Sequence, residues 1–349
     1  MTHPTDIDHG TLVARPFGGR LSLRLHRRTL ASCGVMLLLS VILIILSLTT
    51  GDYGIPLADV ARALTGRGDE MLQVIVLEWR MPRAFLALLL GAALGISGAI
   101  FQSLTRNPLG SPDIIGFSAG AHTGALIAIL VFSGGYFETA TGALIGGIAS
   151  AVAVYLLTYK RGVDGFRLIV VGIAIAAMLS AANVWLIRKA EIQVAMSAAM
   201  WAAGSLNGLG FDRLLPEALV LTFLIPSAHI LARPLRQLDM GDDSDMASGM
   251  TPDRTRLLLA VIGVALVAVV TAAAGPIAFI ALAAPQLSRR VTRSAGIALM
   301  PAALMGGLLL LISDWAAQHA LGLQLPVGIM TFNIGGLYFV WLLASEGRK

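Results

Sequence analysis

Two arginines three residues apart, Arg80 and Arg83 in "EWRMPR", form the most chemically pointed pair in the chain. A guanidinium fork can hold a carboxylate through two parallel hydrogen bonds, and anchoring of a helix at the lipid headgroups is the other reading of the pair. The next candidates are polar groups inside apolar runs: Asp314, His122, His229, His319 and Asn183. Ionisable groups at such places are costly and are candidates for function, yet these are scattered. No two histidines or carboxylates stand at ligand spacing on one helical face, so no metal site and no cofactor is expected, and satisfied burial stays open for each. Further polar positions, Ser205, Asn207 and Asn333, could line a pathway or bond helices together. The sequence has no H-E-x-x-H, C-x-x-C, G-x-S-x-G or P-loop motif, and none of its lysines follows a glycine. It reads as a protein that is not an enzyme.

The elements that must position these groups follow from composition. With 349 residues, 56% of them hydrophobic and only 13% charged, the chain has too few polar groups to cover a soluble globule. Apolar stretches near the twenty residues needed to cross a bilayer recur from Leu30 almost to the end. Hydropathy and punctuation predict ten spans, at 30–49, 84–104, 114–132, 139–158, 166–187, 214–231, 254–273, 276–288, 296–316 and 326–345. The eighth is short and carries Pro276 and Pro285, so a half-span is open. Residues 1–29 read as a cytoplasmic tail and 30–345 as one transmembrane domain. No A-x-A site follows the first apolar run at signal-peptide distance, so that run is taken as helix one.

With a cytoplasmic N-terminus, eighteen of the 25 basic residues fall on inner segments and seven on outer ones, Arg80 and Arg83 among the seven. The positive-inside rule then places both termini in the cytoplasm. No basic groove with interleaved aromatics is present, so nucleic acid is not a partner. The lone Cys33 lies in the first span and reads as packing.

Punctuation sets the turns. Asn107-Pro108 is expected to end helix two, and Ser111-Pro112-Asp113 to supply N-cap, first-position proline and first-turn acid for helix three; Thr251-Pro252-Asp253 repeats that grammar before helix seven. Glycines four apart, at Gly91/Gly95, Gly116/Gly120/Gly124 and Gly142/Gly146, permit close helix approach. The largest polar segment between spans, 233–256, holds a possible short helix ending at Gly249, with Met246, Ala247 and Met250 on one face. It reads either as a solvated loop or as a plug for a soluble partner.

The stretch "EWRMPRAFLALLLGAALGISGAIFQSLTRNPLGSPDIIGFSAGA" resembles the signature of the iron-siderophore and vitamin B12 permease family of ATP-binding-cassette importers. "GSLNG", "LDMGDD", "GPIAFIALAAPQLSRR" and "LPVGIMT" agree in the same order, over roughly 78–343. Wording such as "IFQSL" and "MGDD" is most similar to ferric enterobactin permeases. The resemblance implies an all-α, ten-helix bundle of the type II ABC importer fold in a bacterial inner membrane. It implies a sister permease subunit, two cytoplasmic ATPase subunits and a periplasmic binding protein, with iron arriving already chelated by a catecholate siderophore and transport by alternating access. It assigns ATPase coupling to the segment 235–252, through Leu238, Gly241, Asp242, Asp243, Ala247 and Gly249, and binding-protein docking to Arg80 and Arg83. A third docking arginine of the family has no counterpart; Gln318 and His319 stand nearest its place. An ion-coupled secondary transporter is the alternative, resting on Asp314 and the Gly275-Pro276 break.

Overall fold

The computed structural model describes residues 11–14, 23–51, 53–113, 116–132, 134–159, 165–238, 252–294, 296–320 and 324–346. Within the segment expected to be a tail, strands β1 (Thr11–Ala14) and β2 (Leu23–His26) pair antiparallel and lead directly into α1 (Arg27–Thr49). A short helix α2 (Leu57–Leu64) follows, then α3 (Glu70–Gln73), a π-helical stretch Val74–Arg80 and α4 (Met81–Thr105). The remaining helices are α5 (Phe117–Phe132), α6 (Tyr136–Thr158), α7 (Gly165–Lys189), α8 (Ile192–Ala202), α9 (Phe211–Ile230), α10 (Ala232–Leu238), α11 (Pro252–Ala274), α12 (Ile280–Thr292), α13 (Leu299–His319) and α14 (Val327–Glu346). Each of the ten predicted spans contains a helix. Seven helical stretches among the described residues are long and apolar enough to cross a membrane.

Three boundaries differ from the sequence expectation, each for a physical reason. The second span does not begin near Pro82: α3, the π-helical stretch and α4 form one helical run of 36 residues, Glu70–Thr105. Proline lacks an N–H and its ring collides with the carbonyl four residues earlier in an α-helix, and a wider turn relieves both problems. That wider turn is visible where the Met81 N–H donates to the Val76 carbonyl, five residues back. The Ser111-Pro112-Asp113 triplet does not open α5, which starts at Phe117; instead the Gly116 N–H donates to the Asp113 carbonyl at 3.0 Å and the Ser118 hydroxyl to the Asp113 carboxylate. Desolvation pushes the Asp113 carboxyl up from its ordinary value, and the Ser118 hydrogen bond pulls it back down. The third difference is α8, eleven residues that hydropathy windows pass over because they are too short to span. The grammar did hold at α11, which opens on Pro252 with Asp253 in its first turn; Thr251 lies outside the described residues.

The eighth span is indeed short. α12 has 13 residues, roughly 20 Å of helix against a hydrocarbon core of about 30 Å, and it carries Pro285 inside.

Helix α4 is the most enclosed of the spans and the hub of the bundle. Lipid offers helices no hydrophobic drive to associate, so close backbone contact and interhelical hydrogen bonds must do it. Where α4 meets α13, an added Cβ on Gly91 would lie 2.4 Å from the Gly306 carbonyl oxygen, and one on Gly306 2.1 Å from that of Gly91. The expected small-residue rows serve the same purpose between α5 and α6, where a Cβ on Gly124 would meet the Gly142 oxygen at 2.0 Å. Polar side chains of α4 add ties on its other sides: the Ser97 hydroxyl donates to the Gly263 carbonyl of α11 (2.8 Å) and the Gln102 amide to the Leu282 carbonyl of α12 (2.9 Å).

Gly306→Ala forces the α4 and α13 backbones apart, and the unfolding free energy in detergent should fall by about 1–3 kcal/mol. Gly34→Ala on the exposed face of α1, where an added Cβ meets nothing within 4 Å, should change it by no more than about 1 kcal/mol, in the stabilising direction. Equal losses at the two sites would show that backbone contact does not hold the helices together.

Candidate docking rim and translocation site

Arg83 enters the first turn of α4 and meets a partner across the bundle. Its Nε donates to both oxygens of Asp314 on α13, at 3.1 and 3.0 Å, and its Nη2 donates to Oδ1 at 2.8 Å. The arginine side chain is 12% exposed and the aspartate 3%, so the pair is nearly withdrawn from solvent. Gln318, one turn along α13, donates to Oδ2 at 2.9 Å, giving the carboxylate a further donor. The acid that stood out in the sequence is therefore paired in the way an intramembrane charge requires. Periodicity could not have matched it with Arg83, because 231 residues separate them.

Arg80, one turn earlier, caps a different helix. Its Nη1 donates to the Leu48 carbonyl at 2.8 Å and its Nη2 to the Tyr53 carbonyl at 2.6 Å, so it serves the end of α1. Cations at a helix C-terminus satisfy orphan carbonyls and oppose the negative end of the dipole. Gly51 is required there: its φ is +152° and an added Cβ would lie 2.6 Å from Arg80 Nη2. On the same side the Trp315 indole donates to the Thr50 hydroxyl at 3.0 Å, tying α13 to α1. The two positions nearest the missing arginine are occupied locally, Gln318 by Asp314 and His319 by the Trp315 carbonyl at 2.8 Å and by stacking on the Trp315 ring.

Both arginines line a cavity of about 860 Å³ at this end of the bundle, with Tyr53, Glu78, Gln318 and Gln324 on its wall. A smaller pocket of about 240 Å³ shares Gly208, Leu209 and Asp212 with it and contains Ser205 and Asn207. Ser205 and Asn207 thus lie together, the Asn207 N–H donating to the Ser205 hydroxyl at 3.1 Å. The other two pathway candidates are elsewhere. Asn183 is buried and bonds α7 to α5, accepting from the Thr123 hydroxyl at 2.7 Å and donating to the Ala119 carbonyl at 3.3 Å. Asn333 is exposed on α14 and donates to its own helix at Ile329, 2.8 Å away.

One constellation escaped the sequence reading. Three separated motifs, "GSLNG", "GPIAF" and "LPVGIMT", meet through their backbones beside the 240 Å³ pocket. The Ser205 N–H donates to the Ala274 carbonyl (2.7 Å) and the Gly328 N–H to the Gly204 carbonyl (3.0 Å). Gly204 and Gly275 have φ of +65° and +74°, and a Cβ on Gly328 would lie 2.0 Å from the Ala203 oxygen. The motifs are glycine-rich because the chains touch there. Their shared glycines were the available signal.

At the opposite end, the turn after α4 meets the segment assigned to coupling. Arg106, left-handed at φ 48°, donates through Nη2 to the carbonyl of Leu238, the buried last residue of α10, at 3.0 Å. Gln286 of α12 donates to the Pro108 carbonyl at 2.6 Å. The "TRNPL" turn is thereby bound to both α10 and α12. Gly241, Asp242, Asp243, Ala247 and Gly249, and the short helix expected to end at Gly249, lie outside the described residues.

A polytopic helical bundle with a short broken span, a central glycine-packed helix and a polar rim cavity defines a membrane permease, and the chain belongs to the FecCD transport family, whose model matches residues 38–345. Among particular proteins, it is 45% identical over 324 residues to the ferric enterobactin transport system permease protein FepG of Escherichia coli K12, covering 93% of this chain and 98% of that one. The YfhA protein of Bacillus subtilis 168, assigned by name to a siderophore transport system as its permease, is 33% identical over 318 residues, 88% and 93% of the two chains. A solved structure assigned to the metal-chelate type of ABC transporter, in an inward-facing conformation, superposes with a TM-score of 0.78 at 26% identity over 90% of this chain and 99% of its own. The fold is that of the type II ABC importer permeases, and the secondary-transporter alternative is not favoured.

Removing one member of the rim ion pair leaves a buried charge unpaired, so Arg83→Ala or Asp314→Ala alone should destabilise the bundle by about 3–5 kcal/mol. The double variant Arg83→Leu/Asp314→Leu should recover most of that loss in thermal unfolding of the purified protein. Additive losses in the double variant would mean that the two side chains do not act as a pair.

Proposed function

We propose that the chain is the membrane-spanning subunit of an importer that carries a ferric siderophore of the catecholate, enterobactin type from periplasm to cytoplasm by alternating access. The observation that carries this reading is the 45% identity, over nearly the full length of both chains, with a ferric enterobactin permease. The chelate is cargo: its iron is already coordinated, so the pathway has only to pass a bulky anionic ligand without holding it tightly. The wall of the 240 Å³ pocket, with Ser205 and Asn207, is suited to such weak polar contact.

In this reading the chain works with a sister permease, two cytoplasmic ATPase subunits that hydrolyse ATP, and a periplasmic binding protein, in a bacterial inner membrane with both termini cytoplasmic. The rim holding Arg80 and Arg83 then faces the periplasm and receives the binding protein, while α10 and the segment after it receive the ATPase. The Arg106 bond to Leu238 supports the second assignment, since it joins the receiving segment to the hub helix and gives a displacement of α10 a direct path into the bundle.

Vesicles containing this chain, its sister permease and the ATPase should take up ferric enterobactin when binding protein and ATP are present, and should do so undiminished after a protonophore. Uptake that the protonophore abolishes while ATP persists would overturn the reading.

The orientation has its own check. In a Cys33→Ala background, a cysteine at Asp69 should react with a membrane-impermeant thiol reagent added to cells whose outer membrane has been permeabilised. One at the exposed Gly296 should react only after the inner membrane is opened. The reverse pattern would invert the topology.

A further inference from the structure

The rim cavity is lined by arginine, yet the arginine that reaches it from α4 does not bring a net charge. Asp314 takes the Nε and Nη2 edge of Arg83, and Gln318 holds Asp314 from behind at 2.9 Å. Nη1 has no hydrogen-bond partner among the described residues, and the same side chain lines the 860 Å³ cavity. A guanidinium is planar and rigid, so fixing one edge in a two-point contact fixes where the other edge points. Displacing Asp314 with a visiting carboxylate would strand a buried acid, which is strongly unfavourable.

We infer that Asp314, backed by Gln318, is a positioning residue for Arg83: it cancels the guanidinium charge and aims the remaining N–H groups, so that this arginine presents the cavity with a directed donor. The group it meets is then selected as a hydrogen-bond acceptor, a carbonyl or hydroxyl oxygen serving as well as a carboxylate. Charge matching with a docking surface is left to other rim groups, of which the cavity wall holds Glu78, Arg80 and Asp212. Asp212 is itself paired with Arg213 at 3.2 Å. What the donor meets rests on the docking reading; the charge cancellation does not.

The cancellation can be measured directly. A cysteine replacing Trp79, a cavity-lining residue that is 64% exposed, is placed in the Cys33→Ala protein in its membrane, and its reaction rates with anionic and cationic methanethiosulfonates of matched size are compared. Asp314→Asn should raise the anionic-to-cationic rate ratio about two- to fourfold, the effect of one uncovered unit charge at roughly 10 Å in a water-like dielectric on reagents that differ by two charges. Arg83→Gln should lower it by at most a similar factor, because a buried acid stranded without its cation can take up a proton. Arg83→Gln/Asp314→Asn and Asp314→Glu should both return it to the parent value. A merely structural role for Asp314 would change protein yield and leave the ratio alone. Should Asp314→Asn fail to accumulate, Asp314→Leu decides in its place, because Arg83 keeps its charge whatever surrounds it, and a ratio unmoved by removing the Asp314 charge overturns the inference. Binding-protein association measured on the same variants separates the two readings. Association indifferent to Arg83→Gln, with the ratio shifted, defeats docking alone; a flat ratio defeats the positioning role whatever association does.

Discussion

Where Gly91 lies against Gly306 the backbones of α4 and α13 are in contact, with no room for a methyl group on either side. In hydrocarbon this approach is among the few forces that can hold two helices together, because lipid tails compete on equal terms for any larger apolar side chain. The rest of the arrangement follows from it. With the two helices at contact distance, Arg83 and Asp314 fall within two-point reach, and the pair then prevents the helices from sliding along each other. From α4 outward, Ser97, Gln102 and Arg106 set the positions of α11, α12 and α10. Among the described residues the most buried helix, with the turn that ends it, is thus tied by polar side chains to four neighbours.

Much of this was legible in the sequence. Hydropathy located ten spans because lipid contact imposes length and composition on each one separately, and the glycine spacings at Gly91/Gly95 and Gly142/Gly146 announced close packing before any neighbour was known. What stayed hidden depends on pairs. Asp314 and Arg83 could each be recognised as unusual, but nothing in either segment says that one answers the other. The joining of Gly204, Gly275 and Gly328 was hidden for the same reason, three motifs that read as independent until their carbonyls are seen to touch.

The local errors have a common origin. Pro112 was taken as the start of a helix, the commonest use of proline near a helix end, and the second span was set to begin just past Pro82. At Pro82 a π turn accommodates the ring and the helix runs through; at Pro112 the chain spends another turn before Phe117. Rules for proline describe the α-register, and a bundle that departs from that register by one hydrogen bond escapes them.

That departure also governs how the rim is aimed. In an α-helix each residue advances the azimuth by about 100°, so a π turn amounts to one residue more than the α-register would hold. The direction in which α3 and the wall residues Glu78, Trp79 and Arg80 lie relative to α4 is therefore fixed by counting residues along one unbroken rod, with no loop to absorb an error. Removing a single residue from Val74–Arg80 would let the run close into the α-register with its two ends little turned, because the wider turn is what absorbs that residue, but it would take away the turn that accommodates Pro82.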